Sequence, residues 1–141
     1  MNSEDSVILF VEDNLSHAVL TLLNFKYAGA NYNIKHISNG KDALDYFYKN
    51  ESYEKPAFIL LDLRLPKVDG FEVLKKLKSD KKFKDIPIIV LSTSNASIDS
   101  VRAYEVGANS YLVKPLSFKD FQKQIQDVCK YWIHWNIAPR A

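Results

Sequence analysis

Glu12 and Asp13 stand side by side directly after the apolar run Val7–Val11, and Asp62 directly follows a second run, Ala57–Leu61. Ser92 and Thr93 follow a third run, Ile86–Leu91, and Lys114-Pro115 follows a fourth, Tyr111–Val113. Three carboxylates, a hydroxyl and an ammonium are the parts needed to hold a hard divalent cation and to receive an anionic group beside it. Carboxylates packed together repel one another, and a cation among them relieves that cost. Oxygen ligands with room for water suit Mg²⁺, bound through one or two carboxylates plus phosphate oxygens. With the cation and Lys114 in place, such a site would neutralise a phosphoryl group, whose transfer needs chiefly positioning and charge stabilisation. Asp62, on the central strand between the acidic pair and Ser92, is the natural nucleophile. Taken singly, these residues carry little weight. An Asp after a strand is commonly a helix cap, a lone Lys a surface residue and a lone Ser a turn residue. The inference rests on their coincidence at four strand ends.

The elements that must position them alternate along the chain. Val7–Val11, Ala57–Leu61 and Ile86–Leu91 are continuous and rich in Val, Ile and Leu, which suits strands buried on both faces of a parallel sheet. Tyr32–Ile37 and Tyr111–Val113 are weaker strand candidates. Helical spacing runs over roughly 14–28, 40–50, 69–79, 97–106 and 117–135. The reading is (βα) five times, an α/β three-layer sandwich with right-handed crossovers. With strand order 2-1-3-4-5, strands one, three, four and five are neighbours, and their carboxyl ends meet at the topological switch point where ligands bind. Strand two, at the edge, contributes nothing comparable. Asp69 with Glu72 predicts a capping box, as does Ser117 with Asp120. Asn39-Gly40 and Asp69-Gly70 mark turns, and Pro66 stops strand three. Residues 1–5 read as a short flexible lead and Ala138–Ala141 as a frayed tail.

Over about residues 6–130 the chain resembles the receiver domains of two-component response regulators. Glu12-Asp13-Asn14 is similar to the family's acidic pair. Leu61-Asp62-Leu63-Arg64-Leu65-Pro66-Lys67-Val68-Asp69-Gly70 is similar to its phosphoacceptor segment, with a proline four and a glycine eight positions after the aspartate. Pro87 to Ser92 matches a fourth strand ending in Ser or Thr, and Gly107 to Pro115 matches the fifth strand with its Lys-Pro. The resemblance implies a flavodoxin-like doubly wound fold and a phosphoryl group on Asp62, delivered by a histidine kinase or phosphotransfer protein. It implies Mg²⁺ on Asp13, Asp62 and the backbone carbonyl of Arg64, with Glu12 acting through water. Lys114 would pair with the phosphoryl oxygens, Ser92 would donate its hydroxyl, and Tyr111 would switch rotamers. It also implies a cis peptide bond before Pro115. Glu12 stands where Asp is commoner and Thr93 where Ala or Gly is often found. Arg64 and Ser94 occupy the positions that flank the attacking water.

The last helix carries a second signal. Phe118, Phe121, Ile125, Val128, Trp132 and Trp135 follow alternating three-four spacing, and Phe118 to Val128 read as a core-facing stripe. Some eighteen helical residues would span about 27 Å, against about 17–20 Å for a strand of five or six residues. Tyr131, Trp132 and Trp135 would then overhang the sheet and offer homodimer contacts. The segment Tyr131-Trp132-Ile133 before a short proline-bearing tail resembles the single-domain regulators associated with phytochrome kinases, as does Arg64-Leu65-Pro66 with Ser92-Thr93-Ser94.

Bulk properties set the frame. The 141 residues, 47% hydrophobic and 26% charged, fit one domain spanning 1–141. A formal charge of +2 argues for neither a nucleic-acid nor a membrane partner, and Lys75, Lys76, Lys78, Lys81, Lys82 and Lys84 read as a solvated face. Cys129 is the single cysteine, and a cytoplasmic location is the simpler reading. His17 reads as a surface residue near the site and His134 as exposed or interfacial. The leading expectation is a phosphorylation-controlled module with no catalytic output. One alternative, an aspartate-based phosphohydrolase, commonly needs a second acid two positions after the nucleophile, where Arg64 stands. The other, a flavodoxin-like cofactor binder, needs a phosphate cradle after strand one, where Glu12-Asp13 would repel phosphate.

Overall fold

In the computed structural model, residues 6–28 and 32–139 are described; the expected lead at 1–5 and the last two residues of the tail lie outside them. Five strands alternate with five helices: β1 (Val7–Val11), α1 (Leu15–Tyr27), β2 (Asn33–Ile37), α2 (Gly40–Tyr48), β3 (Phe58–Leu61), α3 (Gly70–Ser79), β4 (Ile88–Ser92), α4 (Ser97–Val106), β5 (Ser110–Val113) and α5 (Phe118–Cys129). All pairings are parallel, in the order β2-β1-β3-β4-β5.

The strands alternate in the side they serve, as a pleated strand must. Leu9, Val11, Ile59, Leu61, Ile88 and Val90 face one way and pack under Ala43, Phe47, Leu74, Leu77 and Ala103 of α2, α3 and α4. Ile8, Phe10, Phe58, Leu60, Ile89 and Leu91 face the other way, against Ala18 and Phe25 of α1 and Phe121, Ile125 and Val128 of α5. Both faces are covered, so β1 and β3 are apolar throughout and β4 is apolar up to Ser92. β2 is partly exposed, which agrees with its edge position. β4 begins two residues later than the apolar run suggests and takes in Ser92. Pro87 lies before the strand, where its missing N–H costs no ladder bond, while its carbonyl accepts from Ile59.

Helix caps explain most boundaries. Asn14, Asn39 and Ser117 each accept a backbone N–H three residues on. Asp69 does not: it stands at the N-cap of α3 without a side-chain cap bond, so the expected capping box is absent. Asp69 is among the residues lining a small cavity that Arg64, Asp99 and Arg102 also line. Gly107 ends α4 at φ 120°, a conformation that L side chains rarely adopt.

The C-terminal helix departs from expectation. It is α-helical only to Cys129, then widens into a π-helical turn, Lys130–Trp135. Trp132 and Ile133 pack against the α1–α5 side of the core, whereas Tyr131, Trp135 and Ile137 stay exposed. Of the three aromatics expected to overhang, Trp132 therefore folds back. Phe118, expected in the buried stripe, is exposed, and the stripe begins one turn later at Phe121. Among the described residues no helix is long and apolar enough to cross a membrane.

Candidate functional site

The sheet register sets the site. Val11 pairs with Leu61 and Leu61 with Val90, so Glu12 and Asp62 leave adjacent strands side by side. Ser92 pairs with Val113, which places Lys114 beside the end of β4. Backbone bonds continue past the strand ends: Asp62 N donates to Val11 O at 3.0 Å, and Lys114 N donates to Ser92 O at 2.8 Å.

Glu12, Asp13 and Asp62 each offer a carboxylate oxygen, and these lie within 4.8 Å of one another. Glu12 is buried, Asp62 half-buried and Asp13 exposed. The Lys114 ammonium makes a close ion pair with Glu12, with side chains only 9% and 1% exposed. Burial raises the Asp62 carboxyl to about 7, and hydrogen bonding to Glu12 and its charge add to the rise. Burial opposes ionisation of Glu12 as well. Its bonds to Asp62 and Lys114 outweigh that and hold it below the usual range. The two carboxyl groups thus share one lysine, and Glu12 takes it. That leaves Asp13 and Asp62 short of positive charge. A hard divalent cation fits the donor set, since all three groups supply carboxylate oxygen.

The surrounding loops hold these groups in place. Arg64 N donates to Asp62 Oδ1 at 3.2 Å. Gly70 N donates to Leu63 O at 3.0 Å, and a Cβ on Gly70 would stand within 2.7 Å of the Asp62 and Leu63 backbone. Val68 N donates to Pro66 O at 2.9 Å, which closes a γ-turn about Lys67 at φ 68°. Ser92 is buried, and its hydroxyl oxygen accepts from Ser94 N at 3.1 Å. The Tyr111 hydroxyl donates to Ser94 O at 2.9 Å, tying β5 to the loop after β4.

Of the residues expected from the sequence, Glu12, Asp13, Asp62, Arg64, Ser92 and Lys114 lie at this edge of the sheet, and Tyr111, opposite Val90 in β5, reaches it through its hydroxyl. Among the described residues no peptide bond is cis, so Lys114-Pro115 is trans, against expectation. A trans X–Pro bond is favoured by about 0.5–1 kcal/mol, and Lys114 reaches Glu12 from that form. Two histidines adjoin the site, of which only His17 was expected near it. His36 on β2 stacks on Phe10 and hydrogen-bonds the Glu12 carbonyl at 2.8 Å. His17, expected as a surface residue near the site, is part-exposed there and brings Nδ1 to 3.3 Å from the Lys114 ammonium. His134 is exposed and meets the Tyr32 hydroxyl at 3.2 Å.

The family model for the response regulator receiver domain matches residues 8–126. The chain belongs to that family. Receiver domains are signalling modules of two-component systems, phosphorylated on an aspartate. The chain is 44% identical over 142 residues to the probable methanogenesis regulatory protein FilR2 of Methanothrix harundinacea, covering 99% of this chain and 92% of FilR2. It is similar to Rcp1 of Synechocystis, whose Mn²⁺-bound crystal structure superposes with TM-score 0.87 at 33% identity, covering 96% of this chain and 99% of that one. The phosphorylated cyanobacterial phytochrome response regulator RcpA superposes with TM-score 0.89 at 30% identity, with the same coverage. The receiver fold of these relatives, with strand order 2-1-3-4-5, is the fold of this chain.

Proposed function

We propose that this receiver takes its phosphoryl group on Asp62, from a histidine kinase or phosphotransfer protein, with Mg²⁺ bound by Asp13, Asp62 and the Arg64 backbone carbonyl. The observation that carries the reading is the meeting of Glu12, Asp13 and Asp62 within 4.8 Å beside Lys114. A bound Mg²⁺ would supply positive charge for the carboxylates and the phosphoryl oxygens. The Mn²⁺ form of Rcp1 supports a divalent ion in such a site. Mg²⁺ is our choice because hard carboxylate and carbonyl oxygens suit it.

The chain's own residues would divide the work as follows. An Asp62 oxygen attacks the phosphorus of a phosphohistidine. The P–N bond breaks, and the imidazole keeps the electron pair and takes a proton. Lys114 swings part of its charge from Glu12 to the phosphoryl oxygens. The Ser92 hydroxyl donates to the same group and draws in its loop, and Tyr111 follows because its hydroxyl is bonded to Ser94. A charge of about −1.5 to −2 then biases the loop and the α4–β5–α5 face between two states.

Partner surfaces flank the crevice. Leu15, Val19, Leu23 and Tyr27 form an exposed stripe along α1, starting beside Asp13. Such a stripe suits a helical phosphodonor. A phytochrome-type kinase fits the likeness to RcpA, while FilR2 offers the same design in another regulatory setting. Tyr131, Trp135 and Ile137 are exposed together, and Trp132 and Tyr131 line a groove with Leu112 and Val128. We assign this face to a homodimer.

We further read residues 1–141 as one receiver domain that acts in the cytoplasm as a switch; the chain covers 92% and 94% of the lengths of FilR2 and Rcp1. The lysine run favours no nucleic acid. Lys78 donates to the Lys84 and Ile86 carbonyls, and Lys76 and Lys82 lie over Tyr48, Tyr53 and Phe83. The test is incubation with Mg²⁺ and acetyl phosphate, followed by intact mass. The reading expects one added phosphoryl group on the wild type and none on Asp62→Asn. No addition, or equal addition to both, would refute it. Sizing of the wild type against Tyr131→Ala/Trp135→Ala tests the dimer, which fails if the wild type runs as a monomer.

A further inference from the structure

α4 begins without a side chain at its cap: Ala96 holds the N-cap position and makes no cap bond. Ser94 and Asp99 fill the gap. Ser94 Oγ accepts from Ala96 N at 3.2 Å and donates to Asp99 Oδ2 at 2.7 Å. The same Asp99 oxygen lies 3.7 Å from Arg64 Nη2. Asp99 is in the first turn of α4, where the helix dipole favours an anion. One carboxylate therefore gathers the segment after the phosphoacceptor, the loop after Ser92 and the start of α4. Tyr111 joins the group through the Ser94 carbonyl. The second arginine beside Asp99 is engaged elsewhere, since Arg102 lies over the Phe71 ring at 3.9 Å.

We infer that Asp99 is a positioning residue that holds Arg64 off the crevice in the resting protein and thereby sets how long the phosphoryl group persists. The inference rests on the reading of Asp62 as phosphoacceptor. The geometry makes the pair easy to exchange. Arg64 is 77% exposed and Asp99 21%, so their attraction is screened and weak. Arg64 is two residues from Asp62 and donates its backbone N–H to that carboxylate. A phosphoryl group on Asp62 carries about −1.5 to −2 charges, more than the single charge of Asp99. Arg64 then turns to the phosphoryl oxygens, where its guanidinium blocks an approaching water. Asp99 loses its cation, and the tie between α4 and the segment after Asp62 opens while Ser94 stays bonded to Asp99. Input at β3 thus reaches the α4 face through one ion-pair exchange.

The test compares wild type, Asp99→Asn, Arg64→Ala and the double variant. Asparagine keeps an acceptor for the Ser94 hydroxyl and removes only the charge. Each protein is loaded with acetyl phosphate and Mg²⁺, the donor is removed, and the phosphorylated fraction is followed by intact mass. Asp99→Asn is expected to lengthen the phosphoryl lifetime about two- to fivefold, the range that an exposed ion pair commands. In the Arg64→Ala background the same substitution is expected to change nothing, an outcome that a merely structural role for Asp99 would not give. Loading of wild type and Asp99→Asn with equal lifetimes would overturn the inference and leave the phosphoacceptor reading standing. A full effect of Asp99→Asn in the Arg64→Ala background would also overturn it. Failure of every variant to load would overturn both.

Discussion

Replacing Asp62 with asparagine removes one of three crowded carboxylates while keeping the side chain's shape. In the metal-free protein the Asp62 carboxyl is raised from 3.8 to about 7, first by burial and then by Glu12. The unfolded chain loses this proton near its ordinary value, and the folded chain keeps it until about pH 7. Between those limits the folded state binds more protons, so stability falls as pH rises and levels off above pH 7. A shift of about three units, at about 1.36 kcal/mol each, sets a ceiling of about 4 kcal/mol. Partial exposure of Asp62 and the opposite shift of Glu12 reduce that, and we expect about 2 kcal/mol. The assay is thermal unfolding followed by circular dichroism, in chelator, at pH 5 and pH 8. At pH 8 Asp62→Asn should melt about 6 °C above the wild type, at about 3 °C per kcal/mol for a chain of this size. At pH 5, a little over a third of the way through that window, the gap should shrink to about 2 °C. Saturating Mg²⁺ should close the gap at pH 8, because the wild type gains more from binding. A variant no more stable than wild type at pH 8 in chelator would refute the reasoning.

Three further outcomes follow from the same geometry. Lys114→Ala leaves the Glu12 carboxylate buried without its cation and should cost about 3–5 kcal/mol in chelator by urea unfolding, with Glu12→Gln in the same chain recovering part of the loss. Lys67→Gly relieves a left-handed γ-turn at φ 68° and should stabilise the protein by about 1 kcal/mol in the same assay. Gly70→Ala places a methyl group within 2.7 Å of the Asp62 and Leu63 backbone; it should cost about 2 kcal/mol or more and weaken Mg²⁺ binding measured by titration calorimetry.

The site was legible in the sequence because parallel strands covered on both faces announce themselves as unbroken apolar runs. Val7–Val11 is such a run, and the first polar residues after it are Glu12 and Asp13. The topology of five alternating units then brings four strand ends together, so chain-distant residues become neighbours without any local signal. What the sequence did not carry depends on side chains reaching across elements. His36 finds the Glu12 carbonyl only through the β1–β2 pairing, and Asp99 finds Arg64 only once α4 docks beside α3 and β5. The π-helical turn was equally hidden. Phe118 to Trp135 keep helical spacing, yet core packing draws Trp132 and Ile133 inward and breaks the helical phase after Cys129. Asp69 makes no side-chain cap bond although its sequence favours one, so the local signal alone misplaced that cap.

The central claim is that Asp62 itself becomes the acyl phosphate. Borohydride reduces an aspartyl phosphate to homoserine and leaves an unmodified aspartate intact. Treating the protein with Mg²⁺ and acetyl phosphate, reducing it and mapping its peptides should therefore show homoserine at position 62 and unchanged aspartate at 13 and 69. Homoserine at either of those positions, or aspartate retained at 62 in protein that has gained a phosphoryl group, would contradict the account.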